Sequence, residues 1–91
     1  MKITIDSQIL ENPNIRAVHI NLYLHLIKVS HYGLCMISVS EIMRDMRSSS
    51  NRHRVIEYLR TLEQEGYLKI NSRNGATNRY ELNQEFYSKE I

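Results

Sequence analysis

Residues 50–68 read Ser50-Asn51-Arg52-His53-Arg54-Val55-Ile56-Glu57-Tyr58-Leu59-Arg60-Thr61-Leu62-Glu63-Gln64-Glu65-Gly66-Tyr67-Leu68, and this stretch decides the fold. Val55, Leu59 and Leu62 recur at the three- and four-residue spacing of one helical face, with Ile56 and Tyr58 flanking it. A helix is predicted over 50–65. Gly66 ends it, because glycine enters the left-handed conformation that stops a helix without a Cβ penalty. Directly afterwards the period changes to two, with Leu68 and Ile70 alternating with Lys69 and Asn71.

Downstream, Asn78-Arg79-Tyr80-Glu81-Leu82 alternates in the same way, and Asn74-Gly75 supplies the residues a hairpin tip requires. Residues 67–82 are therefore predicted as a β-hairpin. Leu68, Ile70, Tyr80 and Leu82 face the helices in this reading, and Lys69, Asn71, Arg79 and Glu81 take the other face. Residues 83–91 are predicted as a short amphipathic tail helix using Phe86 and Ile91.

Upstream, Ser38-Val39-Ser40-Glu41 matches a capping box, in which Ser accepts an amide hydrogen bond and Glu reaches back to the cap. A short helix is predicted over 38–46, with Val39, Ile42, Met43 and Met46 inward. Leu34-Cys35-Met36-Ile37 before it is an apolar run suited to a buried strand. Ahead of that, Asn12-Pro13 reads as a helix start, since Asn caps free amides and Pro has no amide to lose at the first position. The first helix is predicted over 13–32, stopped by Gly33. Ile15, Val18, Leu22, Leu26 and Val29 form its main stripe. Ala17, Ile20, Leu24 and Ile27 widen that stripe, which leaves Leu24 and Ile27 as candidates for either the core or a homodimer contact. Residues 1–12 form an N-terminal extension in which Lys2-Ile3-Thr4-Ile5 alternates as a short strand, and Ser7-Gln8-Ile9-Leu10 either continues it or turns into a short helix.

The order helix, strand, helix, helix, hairpin resembles the winged helix-turn-helix family. So do the strings Ser38-Val39-Ser40-Glu41-Ile42 and Leu59-Arg60-Thr61-Leu62-Glu63-Gln64-Glu65-Gly66-Tyr67-Leu68. The resemblance covers residues 13–82. It implies an α+β, mainly helical domain with a three-helix core, a recognition helix over 50–65 and a C-terminal β-hairpin wing. Ile9-Leu10-Glu11-Asn12-Pro13 leading into Leu22-Tyr23-Leu24-His25-Leu26 is also similar to the opening of winged-helix domains in phage and plasmid replication initiators and organisers. One departure stands out: Arg47 and Ser48 occupy the turn where the family places a Gly and an apolar residue.

Length and composition bound the function. Ninety-one residues make one small domain, too few for a catalytic domain beside a binding module. With 42% apolar and 24% charged residues the chain is composed to fold, not to stay disordered. The single cysteine, Cys35, rules out an internal disulfide and a multi-cysteine zinc site, and points to a reducing, cytoplasmic location. Asp6 interrupts any signal-peptide core, and no run is long enough to span a membrane. His19, His25, His31 and His53 lack the spacing of a metal site, no phosphate loop or nucleophile elbow occurs, and no enzyme, cofactor or metal is expected.

Net charge is only +2, but its distribution is uneven. Residues 1–43 balance, with three basic and three acidic side chains, whereas 44–79 hold eight basic against four acidic, a surplus of +4. Seven of those eight are arginines, whose planar fork grips phosphate or guanine with two hydrogen bonds. The N-terminal end of the 50–65 helix carries Ser49, Ser50, Asn51, Arg52, His53 and Arg54. Asn51, His53 and Arg54 are candidates for base edges, and Ser49, Ser50 and Arg52 for phosphates. Helix capping explains the serines equally well and is compatible with phosphate contact. A solvated charged face is the plain reading of the arginines, but cations at a helix N-terminus oppose its dipole, which favours an anionic partner. Arg47 in the turn and Arg73, Asn74, Thr77 and Arg79 on the hairpin complete the candidate set. The expected function is sequence-specific binding of double-stranded DNA as a homodimeric transcriptional regulator or replication-associated factor. The alternative is a protein-interaction module or inhibitor using the same basic surface.

Overall fold

The structure, a computed structural model, describes residues 1–47, 51–71 and 78–91. In chain order the elements are β1 (Lys2–Ile5), α1 (Gln8–Glu11), α2 (Ala17–Val29), β2 (Leu34–Ile37), α3 (Val39–Asp45), α4 (Arg52–Gln64), β3 (Leu68–Asn71), β4 (Asn78–Leu82) and β5 (Tyr87–Glu90). This is a small α+β fold. Its strands form two antiparallel sheets, β2-β4-β3 and β1-β5.

Local chemistry sets α3 and α4. Ser38 Oγ accepts the Glu41 amide at 3.1 Å while the Glu41 carboxylate accepts the Ser38 amide at 3.4 Å, so the expected capping box starts α3. Asn51 caps α4 by accepting the Arg54 amide at 2.9 Å. At the other end Gly66 takes φ +87°, Gly66 N–H donates to Glu63 C=O and Tyr67 N–H to Leu62 C=O, both at 3.0 Å. This paired closure consumes carbonyls that a helix end otherwise leaves unbonded, and turns the chain into β3.

The N-terminal third departs from the sequence expectation. Pro13 does not open a helix: residues 13–14 form a turn and α2 starts only at Ala17. Asn12 does cap an amide, that of Asn14 at 2.9 Å, but its own amide group reaches Glu65 Oε1 at 2.8 Å and the Tyr67 hydroxyl at 3.1 Å. That tether to the end of α4 holds Asn12 in a turn. The preceding ambiguity resolves as a short helix, α1, with Ile9 fully buried.

At its other end α2 stops at Val29, before the expected residue 32. Ser30 Oγ donates to Ile27 C=O at 2.7 Å, and the Lys89 ammonium donates to the carbonyls of Lys28 and Ser30 at 2.9 and 2.8 Å. Gly33 serves a different purpose. With Tyr32 it forms a two-residue turn with positive φ at both positions, closed by His31–Leu34 main-chain bonds of 2.8 and 3.0 Å.

The core lies between the helices and one face of the β2-β4-β3 sheet. Leu22, Tyr23, Leu26 and Ile27 of α2, Val39 and Ile42 of α3, and Val55, Leu59 and Leu62 of α4 meet Cys35, Ile37, Leu68, Tyr80 and Leu82 from the strands. The hairpin facing is as expected: Leu68, Tyr80 and Leu82 are buried and Lys69 is exposed. Strand β2 is not buried on both sides. Only Cys35 and Ile37 point inward, while Leu34 and Met36 stay 38% and 62% exposed. Ile27 is 0% exposed within the single chain, which removes it from any dimer contact.

Residues 83–91 are not a helix. A turn, in which Asn83 Oδ1 accepts the Glu85 amide at 3.1 Å, leads into β5, whose residues pair with β1 from Lys2↔Glu90 to Ile5↔Tyr87. Tyr87-Ser88-Lys89-Glu90 alternates half-buried and exposed, the period of a strand. Phe86 packs edge-on against Tyr67 at 4.8 Å, and Ile91 is exposed.

Two stability predictions follow. Ser38→Ala removes the α3 cap, a loss of about 1 kcal/mol, and should lower the Tm by roughly 4–8 °C in thermal circular dichroism. His19 and His25 both have pKa values lowered from 6.5, chiefly by burial. The unfolded chain therefore binds protons more readily, so stability is full above about pH 6.5 and falls as pH drops below it. Melting curves should show a lower Tm at about pH 5 than at about pH 7; a Tm constant across that window would contradict the account.

Candidate nucleic-acid interface

The basic surface gathers where α3 hands over to α4. Arg47 adopts φ +51°, the left-handed conformation in which a glycine is strain-free, and its amide donates to Arg44 C=O at 3.2 Å. An arginine thus holds the backbone role of the missing turn glycine, at about 1–2 kcal/mol of strain. Ser49 and Ser50 lie outside the described residues, as do Arg73, Asn74 and Thr77.

On α4 the inward anchoring of Val55, Leu59 and Leu62 leaves Asn51, Arg52, His53 and Arg54 exposed together at the N-terminal end. They are not equivalent. Asn51 spends its side-chain oxygen on the cap. Arg52 Nη1 donates to Ser40 Oγ at 3.1 Å, tying the start of α4 to the exposed side of α3. His53 Nε2 lies 3.2 Å from Glu57 Oε1, an exposed pair one turn apart. Arg54 has no ion-pair partner among the described residues.

No acidic residue stands in the first turn of α4. The helix dipole and the arginine charges therefore add with one sign. Helix stability alone favours the opposite arrangement, so this end is suited to a phosphate or another anion.

Arg79 is separate from this cluster. It lies on the outer face of the sheet, opposite Met36 and Asn71, half-buried, with Nη2 4.0 Å from Glu81 Oε1. Its Nε is buried with no hydrogen-bond partner among the described residues.

Two residues absent from the sequence-level set belong beside the cluster. Ser40 receives Arg52, and Asn78 donates to the Tyr80 hydroxyl at 3.2 Å. Burial raises the Tyr80 pKa, while the Asn78 hydrogen bond and the nearby positive charge of Arg52 act against that rise. Arg52 is thus tied to α3, and its charge is felt at the Tyr80 hydroxyl. Neither neighbour carries a local signal, because each is brought in across the fold.

Among the described residues, no three His, Cys, Asp or Glu side chains group as metal ligands. Cys35 is buried, which pushes its thiol up to about 11. No described helix is long and apolar enough to cross a membrane. Comparison with protein-family models, with characterised proteins and with solved structures finds no match to this chain.

Arg47→Gly relieves the left-handed strain and should raise stability by about 1 kcal/mol, read as a higher urea midpoint with an unchanged m-value. A lower midpoint would show that the Arg47 side chain makes contacts worth more than the strain.

Proposed function

We propose that this chain is a winged helix-turn-helix protein that binds double-stranded DNA with the N-terminal end of α4, as a homodimeric transcriptional regulator or replication-associated factor. The succession α2, β2, α3, α4, β3, β4 and the sheet order β2-β4-β3 support the fold half of this reading. The observation that carries the ligand half is the exposed end of α4. Arg52 and Arg54 stand exposed there, Arg47 precedes them with a left-handed backbone, and no carboxylate occupies the first turn. A helix end with that charge enters a major groove amides first, where arginine reads guanine and the amide group of Asn51 reaches a base edge or phosphate.

Acidic partners within the same surface favour a second reading, in which the face docks on an acidic protein. His53 is paired with Glu57 and Arg44 with Asp45 at 3.4 Å, so the positive field is diluted. Salt dependence separates the two readings, because neutralising DNA phosphates releases counterions. Affinity for duplex DNA should fall steeply as salt rises, and Arg52→Ala and Arg54→Ala should each flatten the log–log slope by about 1. Wild-type duplex affinity retained when Arg52, Arg54, Arg73 and Arg79 are all replaced by alanine would overturn the DNA assignment.

A further inference from the structure

We infer that the open edge of β2 is a homodimer interface, with Met36 meeting Met36 of a second copy on a two-fold axis. The inference gives the homodimer proposed above its contact surface, and it does not depend on DNA binding.

The two edges of the three-stranded sheet are treated differently. On the β3 side, Glu63 Oε2 accepts the outward-pointing Ile70 amide at 2.7 Å, so a side chain from α4 blocks strand addition. On the β2 side nothing equivalent is present among the described residues. The Leu82 amide donates to Gly33 C=O at 2.7 Å, and the register places Cys35 opposite Tyr80 and Ile37 opposite Asn78. Hydrogen-bonded pairs alternate along an antiparallel ladder, so Cys35 and Ile37 bond to β4 while the amides and carbonyls of Leu34 and Met36 point outward. His31 takes those of Leu34, leaving Met36 as the open position.

Side chains point to the same place. Edge strands are normally guarded by charge, yet Leu34-Cys35-Met36-Ile37 carries none. Met36 and Leu34 lie on the outer face and Tyr32, at the turn feeding β2, is 99% exposed. Behind them Arg79 and Glu81 face each other, so the patch offers no unbalanced charge to a charged partner.

The shape of this edge selects a second copy over a foreign strand. An added peptide strand needs several outward pairs for register, but the His31–Leu34 bridge shortens the edge to one hydrogen-bonding residue. A two-fold axis through Met36 needs only that one, with the two copies exchanging both main-chain bonds and the patch meeting itself. Tyr32 contributes about 200 Å² of exposed surface. With Leu34 and Met36 the patch is on the order of 400 Å², about half of what each partner gives to a standard stable interface. The dimer is therefore weak and concentration-dependent in solution.

Hydrogen-bonded antiparallel partners have Cα atoms about 5.5 Å apart, within disulfide range. Met36→Cys should cross-link into a dimer under mild oxidation. Leu10→Cys, on a residue equally exposed at 67% but outside the patch, should stay monomeric, and the buried Cys35 thiol should not react in either. Sedimentation of the unmodified chain should show a mass that rises with concentration, and Met36→Lys should abolish that rise without lowering the Tm. Cross-linking of Met36→Cys no faster than Leu10→Cys, or a constant monomer mass, would overturn the inference. Wild-type duplex affinity retained in the quadruple arginine variant, with this dimer intact, would instead sink only the DNA reading above.

Discussion

The left-handed turn at Gly66 is the constraint on which the remaining packing depends. Nothing lies within 4 Å of a Cβ built there, so glycine is required by φ and not by space. Because the chain reverses at that point, Tyr67 leaves α4 pointing into the centre of the molecule. Its hydroxyl receives Asn12, its ring lies 5.8 Å from Tyr23 and 4.8 Å from Phe86, and its carbonyl accepts the Asn83 amide at 2.9 Å. One residue thereby joins the N-terminal segment, α2 and the stretch leading to β5. Continuing α4 by another turn would carry Tyr67 away from all of them.

What was legible in the sequence follows from how far apart the interacting groups are. The α3 capping box spans three residues, the α4 stripe repeats within a turn, and the hairpin alternation needs only its own strands, so each was readable directly. The start of α2 was not, because the partner that holds Asn12 in a turn is Glu65, 53 residues away. The tail was misread for the same reason: Phe86 and Ile91 suit a helical spacing, but β5 becomes a strand by pairing with residues 2–5. An apolar run such as Leu34-Cys35-Met36-Ile37 reads as doubly buried, yet the topology covers only one of its faces.

The candidate site divides along the same line. The exposed first turn of α4 follows from helical periodicity and charge, both local properties. That Arg79 faces away from the helices follows likewise from the alternation of its own strand, whereas the contact of Arg52 with Ser40 depends on how distant segments are brought together. Local preference is also overridden here: an arginine occupies a left-handed turn, and a helix begins among cations.

The clamp of Lys89 on the end of α2 has a consequence for the order in which the molecule assembles. The carbonyls of Lys28 and Ser30 are exposed early in synthesis, and the ammonium that binds them is nearly sixty residues behind on the ribosome. The β1 strand likewise waits for a partner at residues 87–90. Pairings of such high sequence separation form late, since loop-closure entropy must be overcome before they contribute. The local units α3, α4 and the β3–β4 pair can therefore form while the end of α2 is still frayed and β1 unpaired, and the fold closes when β5 pairs with β1 and brings Lys89 onto α2.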